Sequence, residues 1–169
     1  MLAWTHQIYY RRIESICAIK IQDQCKKSPS MQVYFAPRDI GPTAWNFNER
    51  KRTHVRRRFM LLGQTLDGMR VRDVRREIRA VRSMPQLKKA KMQISGNGMM
   101  TGIALYASLF EAKIESLSLR DLPKSHRDRP IFLNMLQFLD VPQAAAMAAE
   151  RSRVTLHQQE KKAGIILRR

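Results

Sequence analysis

The sequence predicts an α/β protein, a partial parallel sheet with helices on both faces, and three observations predict it. Apolar residues recur at period two in some short runs and near period 3.6 in longer ones. Those runs follow one another as strand, helix, strand, helix, strand, helices, strand, an alternation that implies right-handed crossovers. A glycine-rich turn, "GNGMMTG" (Gly96–Gly102), stands where a strand passes into a helix, the place where open parallel sheets gather their chemistry. A chain of 169 residues, 44% of them hydrophobic, is long enough to enclose one core.

Each element has a local reason. Residues 1–30 show no clean period and end in the turn-like "KKSPS", so they receive no element. "MQVYFA" (Met31–Ala36) reads as a short strand stopped by Pro37, and "PRDIGPTAWNFNERK" as a long loop. From Thr65 the period changes. Val71, Val74, Ile78 and Val81 share one helical stripe, with Met69 off it. Arg72, Arg75, Arg76, Arg79 and Arg82 fill the other faces, and Pro85 ends the helix. "KAKMQIS" is the next strand. "MTGIALYASLFEA" is the next helix, apolar on most sides and expected to be buried. "IESLSL" (Ile114–Leu119) alternates and gives way to the loop "RDLPKSHRDRP". "IFLNMLQFLD" and "PQAAAMAAE" read as two helical pieces, with Pro142 suited to the first turn of the second. "RVTLH" (Arg153–His157) is a last strand. The domain therefore spans 31–157, between an undefined segment 1–30 and a tail 158–169.

Charge narrows the partners. Lys and Arg number 32 against 14 Asp and Glu, a net +18. Between Arg50 and Arg82 lie eleven arginines and Lys51, opposed only by Asp67, Asp73 and Glu77. Such a surplus attracts phosphates, nucleic acid or anionic membrane surfaces. "RTHVRRRFMLLG" offers one Phe and no nucleic-acid fingerprint, so the expectation is a solvated helix face with non-specific polyanion binding, with a basic nucleic-acid-binding module as the alternative. No run of about 18 apolar residues is present, which excludes a membrane-spanning helix from the expectations. The first residues lack the apolar core of a signal peptide, so a cytoplasmic place is the default expectation. Cys17 and Cys25 read as free thiols, and no spacing suggests a metal or a bound cofactor.

The glycine turn supports two readings. As a dinucleotide loop it is G-x-G-x-x-x-G (Gly96, Gly98, Gly102), one residue longer than the usual fingerprint. Asp121, 19 positions after Gly102, would hold the ribose. As a nucleophile elbow, G-x-S-x-G aligned on Gly96 puts Gly98 at the nucleophile, Met99 at the oxyanion donor and Met100 at the last small residue. Ser95 sits earlier, at the strand end, and would not project from the turn.

The flanking order favours the elbow. "FAPRDIGPTAW" is followed by a helix carrying Arg72, Asp73 and Ile78, and then by the turn Ser83-Met84-Pro85. "KMQISGNGMMTGIALYASLF" comes next, and later "DLPKSHRDRPIFLNMLQFLDVPQAAAMAAERSRVTLH". This arrangement resembles the acetyl-xylan-esterase and prolyl-oligopeptidase-like branch of the α/β-hydrolase superfamily over residues 31–157. The resemblance implies the central and later part of that fold, an ester-hydrolase ancestry and an acylated carbohydrate as partner. The chain departs from the pattern at the decisive position, since Gly98 replaces the serine. Asp121 and His126 are the acid and base candidates it offers, with His157 ending the last strand. Each also suits an ordinary structural role, and a triad needs a nucleophile for its base to reach. The expectation is a truncated, catalytically silent relative of a longer, exported esterase.

Overall fold

The computed structural model describes residues 17–22, 31–88 and 90–158. Most of the undefined first segment, Cys25 and the tail from residue 159 lie outside the described residues. Five strands, β1 (Cys17–Gln22), β2 (Met31–Phe35), β3 (Lys91–Asn97), β4 (Ile114–Arg120) and β5 (Arg153–His157), form one mixed sheet in the order β2-β1-β3-β4-β5. β3, β4 and β5 are parallel, while β1 runs antiparallel to both of its neighbours, β2 and β3. The described α-helices are α1 (Glu49–Leu61), α2 (Leu66–Ser83), α3 (Met99–Phe110) and α4 (Val141–Ala149). The protein is of the α/β class.

β1 lies within the segment to which the sequence reading gave no element. Its first residues nonetheless alternate, with Cys17 and Ile19 fully buried and Lys20 exposed. That is the period of a strand with one face on a core. α1 begins inside the stretch read as loop. Asn48 caps it, its side chain accepting the Lys51 N–H at 3.2 Å. α2 starts where expected, with Thr65 Oγ1 accepting the Gly68 N–H at 3.1 Å. Met69, placed off the apolar stripe by its spacing, is buried all the same, as is Arg70. The first of the two later helical pieces does not form. Asn134 takes a left-handed backbone (φ 58°), and only a 3-10 turn, Met135–Gln137, follows it. α4 does form, with Asp140 capping and Pro142 in its first turn.

α3 is the centre of the core. Met100 to Ser108 are all buried, and Ile103 and Leu105 lie with Ile94, Met92, Leu117 and Leu119 from the strands. Each such side chain removed from water contributes roughly 1.5–3 kcal/mol. The stripe Val71, Val74, Ile78 and Val81 of α2 packs into the same cluster, and α4 adds Val141, Ala144 and Ala148. The crossovers from β2 to β3, β3 to β4 and β4 to β5 all step in one direction across the sheet. Right-handed crossovers that never reverse lay their helices on one face. The described α2, α3 and α4 accordingly pack on the face carrying Ile19, Ile94, Leu117 and Leu119, and not on both faces as the alternation alone predicts. Among the described residues, the opposite face presents Lys20, Gln32, Tyr34, Gln93, Ser95 and Ser118 around a cleft of about 280 Å³.

Candidate functional site

β3 ends at Asn97 and α3 begins at Met99, so a single residue, Gly98, makes the turn. Its backbone holds φ 54° and ψ −119°, a region that L side chains rarely enter. The turn is fixed on both sides. The Gly98 N–H donates to the Arg120 carbonyl at 3.1 Å, and the Gly98 carbonyl accepts from the Thr101 N–H (3.2 Å) and hydroxyl (2.7 Å).

The other two glycines have packing causes. A Cβ at Gly96 would stand 2.9 Å from the Met100 carbonyl oxygen and 3.0 Å from Thr101 Cα, so only glycine lets the helix fold back onto the strand. A Cβ at Gly102 would stand 2.4 Å from Pro130 Cδ. Both demands arise within the protein itself. The dinucleotide reading also lacks its usual crevice, which opens where strand order reverses; the described strands β3, β4 and β5 continue in one direction.

The carboxyl edge of the parallel strands gathers most of the predicted residues. Asn97, Arg120 and His157 stand in register across β3, β4 and β5, placing Gly98, Asp121 and His157 along one rim. Asp121 has φ 59°, and its N–H donates to the His157 carbonyl at 2.8 Å. Both side chains are on the exposed side of the rim. Ser95 belongs elsewhere. Its hydroxyl donates to the Ala18 carbonyl at 3.2 Å and lines the cleft on the opposite sheet face. The turn itself, Asn97-Gly98-Met99, carries no hydroxyl or thiol.

His126 is removed from this rim by its bonding. Nδ1 lies 2.7 Å from the Pro130 carbonyl, which only accepts, so Nδ1 carries the proton in the neutral ring. Nε2 is then the acceptor of the Tyr106 hydroxyl at 2.6 Å. The His126 backbone N–H donates to Asp140 Oδ1 at 2.8 Å, and Phe132 packs edge-on against Tyr106 at 4.9 Å. Burial, with the Asp140 charge adding to it, pushes the Tyr106 hydroxyl up to about 12. Both ring nitrogens are spent on holding the loop after β4, and neither is free to serve as a base.

A buried ionic lattice supports the turn from below, and the sequence reading missed it. Arg70 donates to Asp67 at 2.8 Å and to the carbonyls of Arg38 (3.1 Å) and Asp39 (3.0 Å), and it approaches Met99 Sδ at 3.4 Å. Asp67 accepts the Ile131 N–H at 2.8 Å with its other oxygen. Of the Arg72-Asp73 pair, Asp73 takes Arg38 in a two-pronged ion pair, both contacts 2.6 Å, while Arg72 is exposed. The Asp73 hydrogen bond holds the Arg38 guanidinium above its ordinary value, whereas burial lowers Arg70 despite Asp67. The i, i+3 spacing of Asp67 and Arg70 was the one signal available in the sequence.

Cys17 is fully buried, and burial pushes its thiol up to about 12, which leaves it unreactive. Among the described residues no group of three or more His, Cys, Asp or Glu side chains is placed to hold a metal. No described helix is long and apolar enough to cross a membrane. Comparison finds no matching family model, no matching curated protein and no matching solved structure.

Proposed function

We propose that this chain is a catalytically silent α/β-hydrolase-like domain, resembling acetyl-xylan esterases, whose remaining role is binding. One observation carries the reading. The sharp strand-to-helix turn that a hydrolase uses to present its nucleophile is built, yet Gly98 occupies it. Glycine has no Cβ and so no atom that can attack a carbonyl. The Met99 N–H follows at the first position of α3, where an oxyanion donor would stand. A donor without an attacking atom can hold a carbonyl or an anion and do nothing further to it. By the same resemblance, the ligand class is an acylated carbohydrate.

The test is hydrolysis of an aryl acetate by the purified chain, with intact-mass analysis for an acyl adduct. Release at the buffer rate and an unmodified mass are expected. Turnover beyond one equivalent per chain would overturn the reading.

A second reading keeps one observation in its favour: Asp121 directly follows β4, parallel and adjacent to the glycine-turn strand, as a ribose-binding acid would. With Gly96 and Gly102 explained by packing, calorimetric titration with NAD or NADP is expected to be flat. Saturable binding weakened by Gly96→Val would favour the nucleotide reading instead.

A further inference from the structure

The cations between Arg50 and Arg82 are not equivalent. On α2, Arg70 is engaged with Asp67, and Arg75 and Arg79 both reach Glu111 at 2.9 Å. α1 is different. At 3.6 residues per turn, Arg50, Lys51, His54, Arg57 and Arg58 fall within an arc of roughly 120°, and all five are exposed. Glu49, the one acid of the helix, lies on the other side, paired with Arg52 and Arg56. That inner side also attaches α1 to the body, through Arg52 on Asp39 at 3.4 Å and Phe59 against the Trp45 ring at 6.0 Å. The outer face therefore carries five basic side chains and no acidic one.

Exposed apolar residues stand at both ends of this helix. Leu61 falls within the same arc and is 86% exposed, Leu62 follows at 74%, and Phe47 precedes the cap at 84%. Single exposed apolar residues are ordinary, but three bracketing a cationic stripe form a surface with two chemistries. A nucleic-acid backbone matches only one of them, because it gives the cations phosphates and leaves the two leucines in water. The interface of an anionic bilayer matches both, with phosphates at the headgroups and an acyl boundary beneath them.

We propose that the outer face of α1, from Phe47 to Leu62, docks on an anionic lipid surface. Arg50, Lys51, Arg57 and Arg58 meet the headgroup phosphates, and Leu61, Leu62 and Phe47 supply the apolar contact. The surface is separate from the glycine turn, and its occupation does not depend on any chemistry there. Each Lys or Arg near such a surface contributes about fivefold in affinity.

Co-sedimentation of the full chain with vesicles tests this. Phosphatidylcholine vesicles containing roughly 30% phosphatidylserine should carry the protein down, pure phosphatidylcholine should not, and added salt should release it. Arg57→Ala/Arg58→Ala should weaken binding about 25-fold. Leu61→Ser/Leu62→Ser should weaken it at unchanged charge. No residue of α1 is buried, so these variants leave the core intact, and circular dichroism checks that they do. Failure to sediment with the anionic vesicles would overturn the proposal. So would a leucine variant that binds vesicles like the parent while the parent binds a mixed-sequence DNA duplex equally well.

Discussion

At Gly98 the backbone occupies φ 54° and ψ −119° because the turn leaves no alternative: its N–H is tied to β4 and its carbonyl to Thr101. A residue with a Cβ held there costs about 1–3 kcal/mol. Gly98→Ser is therefore expected to lower stability by about that amount in urea unfolding, and to add no esterase turnover. His126, a base candidate from the sequence, already has both ring nitrogens engaged. The glycine spacing was legible in the sequence, but its causes were only partly so. Gly96 answers to atoms four and five residues ahead on α3. Gly102 answers to Pro130, which reaches it only through the fold. His126 shows the same limit. Its sequence neighbourhood suggests an exposed loop, and the Tyr106 ring, twenty residues earlier, packs with Phe132 against it and helps to bury it.

Among the elements, α2 and α3 were legible because each carries an apolar pattern that a core demands, and α2 begins at a side-chain cap. α1 carries no such stripe. It is attached by a few side chains and buries no residue, so periodicity had nothing to report. β1 was missed: its six residues open with three apolar ones in a row, Cys17, Ala18 and Ile19, so no clean period marks the strand in the sequence. The end of α3 is joined to α2 by Glu111, which accepts from Arg75 and Arg79, with Arg75 also 4.9 Å above the Phe110 ring. Burial alone would raise the Glu111 carboxyl, but hydrogen bonds and charge from the two arginines overcome it and hold it below its ordinary 4.5. A carboxyl depressed on folding is the more protonated in the unfolded chain. Its stabilisation is complete above the unfolded value and is lost as pH falls through the folded one. Urea midpoints of the parent are thus expected to fall below about pH 4.5 more steeply than those of Glu111→Gln.

Across the whole molecule, three parallel strands bring Gly98, Asp121 and His157 to one rim, and crossovers stepping in one direction put α2, α3 and α4 on one face. The alternation of strands and helices was enough to read the α/β class. Strand order and the antiparallel insertion of β1 were not readable, since pairing is decided by contacts far apart in the chain. The net +18 likewise conceals two populations, arginines spent on buried acids and arginines facing outward, which composition alone cannot separate. The glycine turn on this rim, Asn97-Gly98-Met99, carries no hydroxyl or thiol, and the proposed silent elbow rests on that point. Steady-state hydrolysis of an aryl acetate by the intact chain, beside its Ser95→Ala variant, measures it directly. Both proteins are predicted to release product at the buffer rate. Sustained turnover by the parent that Ser95→Ala abolishes would show that a serine serves the site after all, and the silent elbow would be refuted.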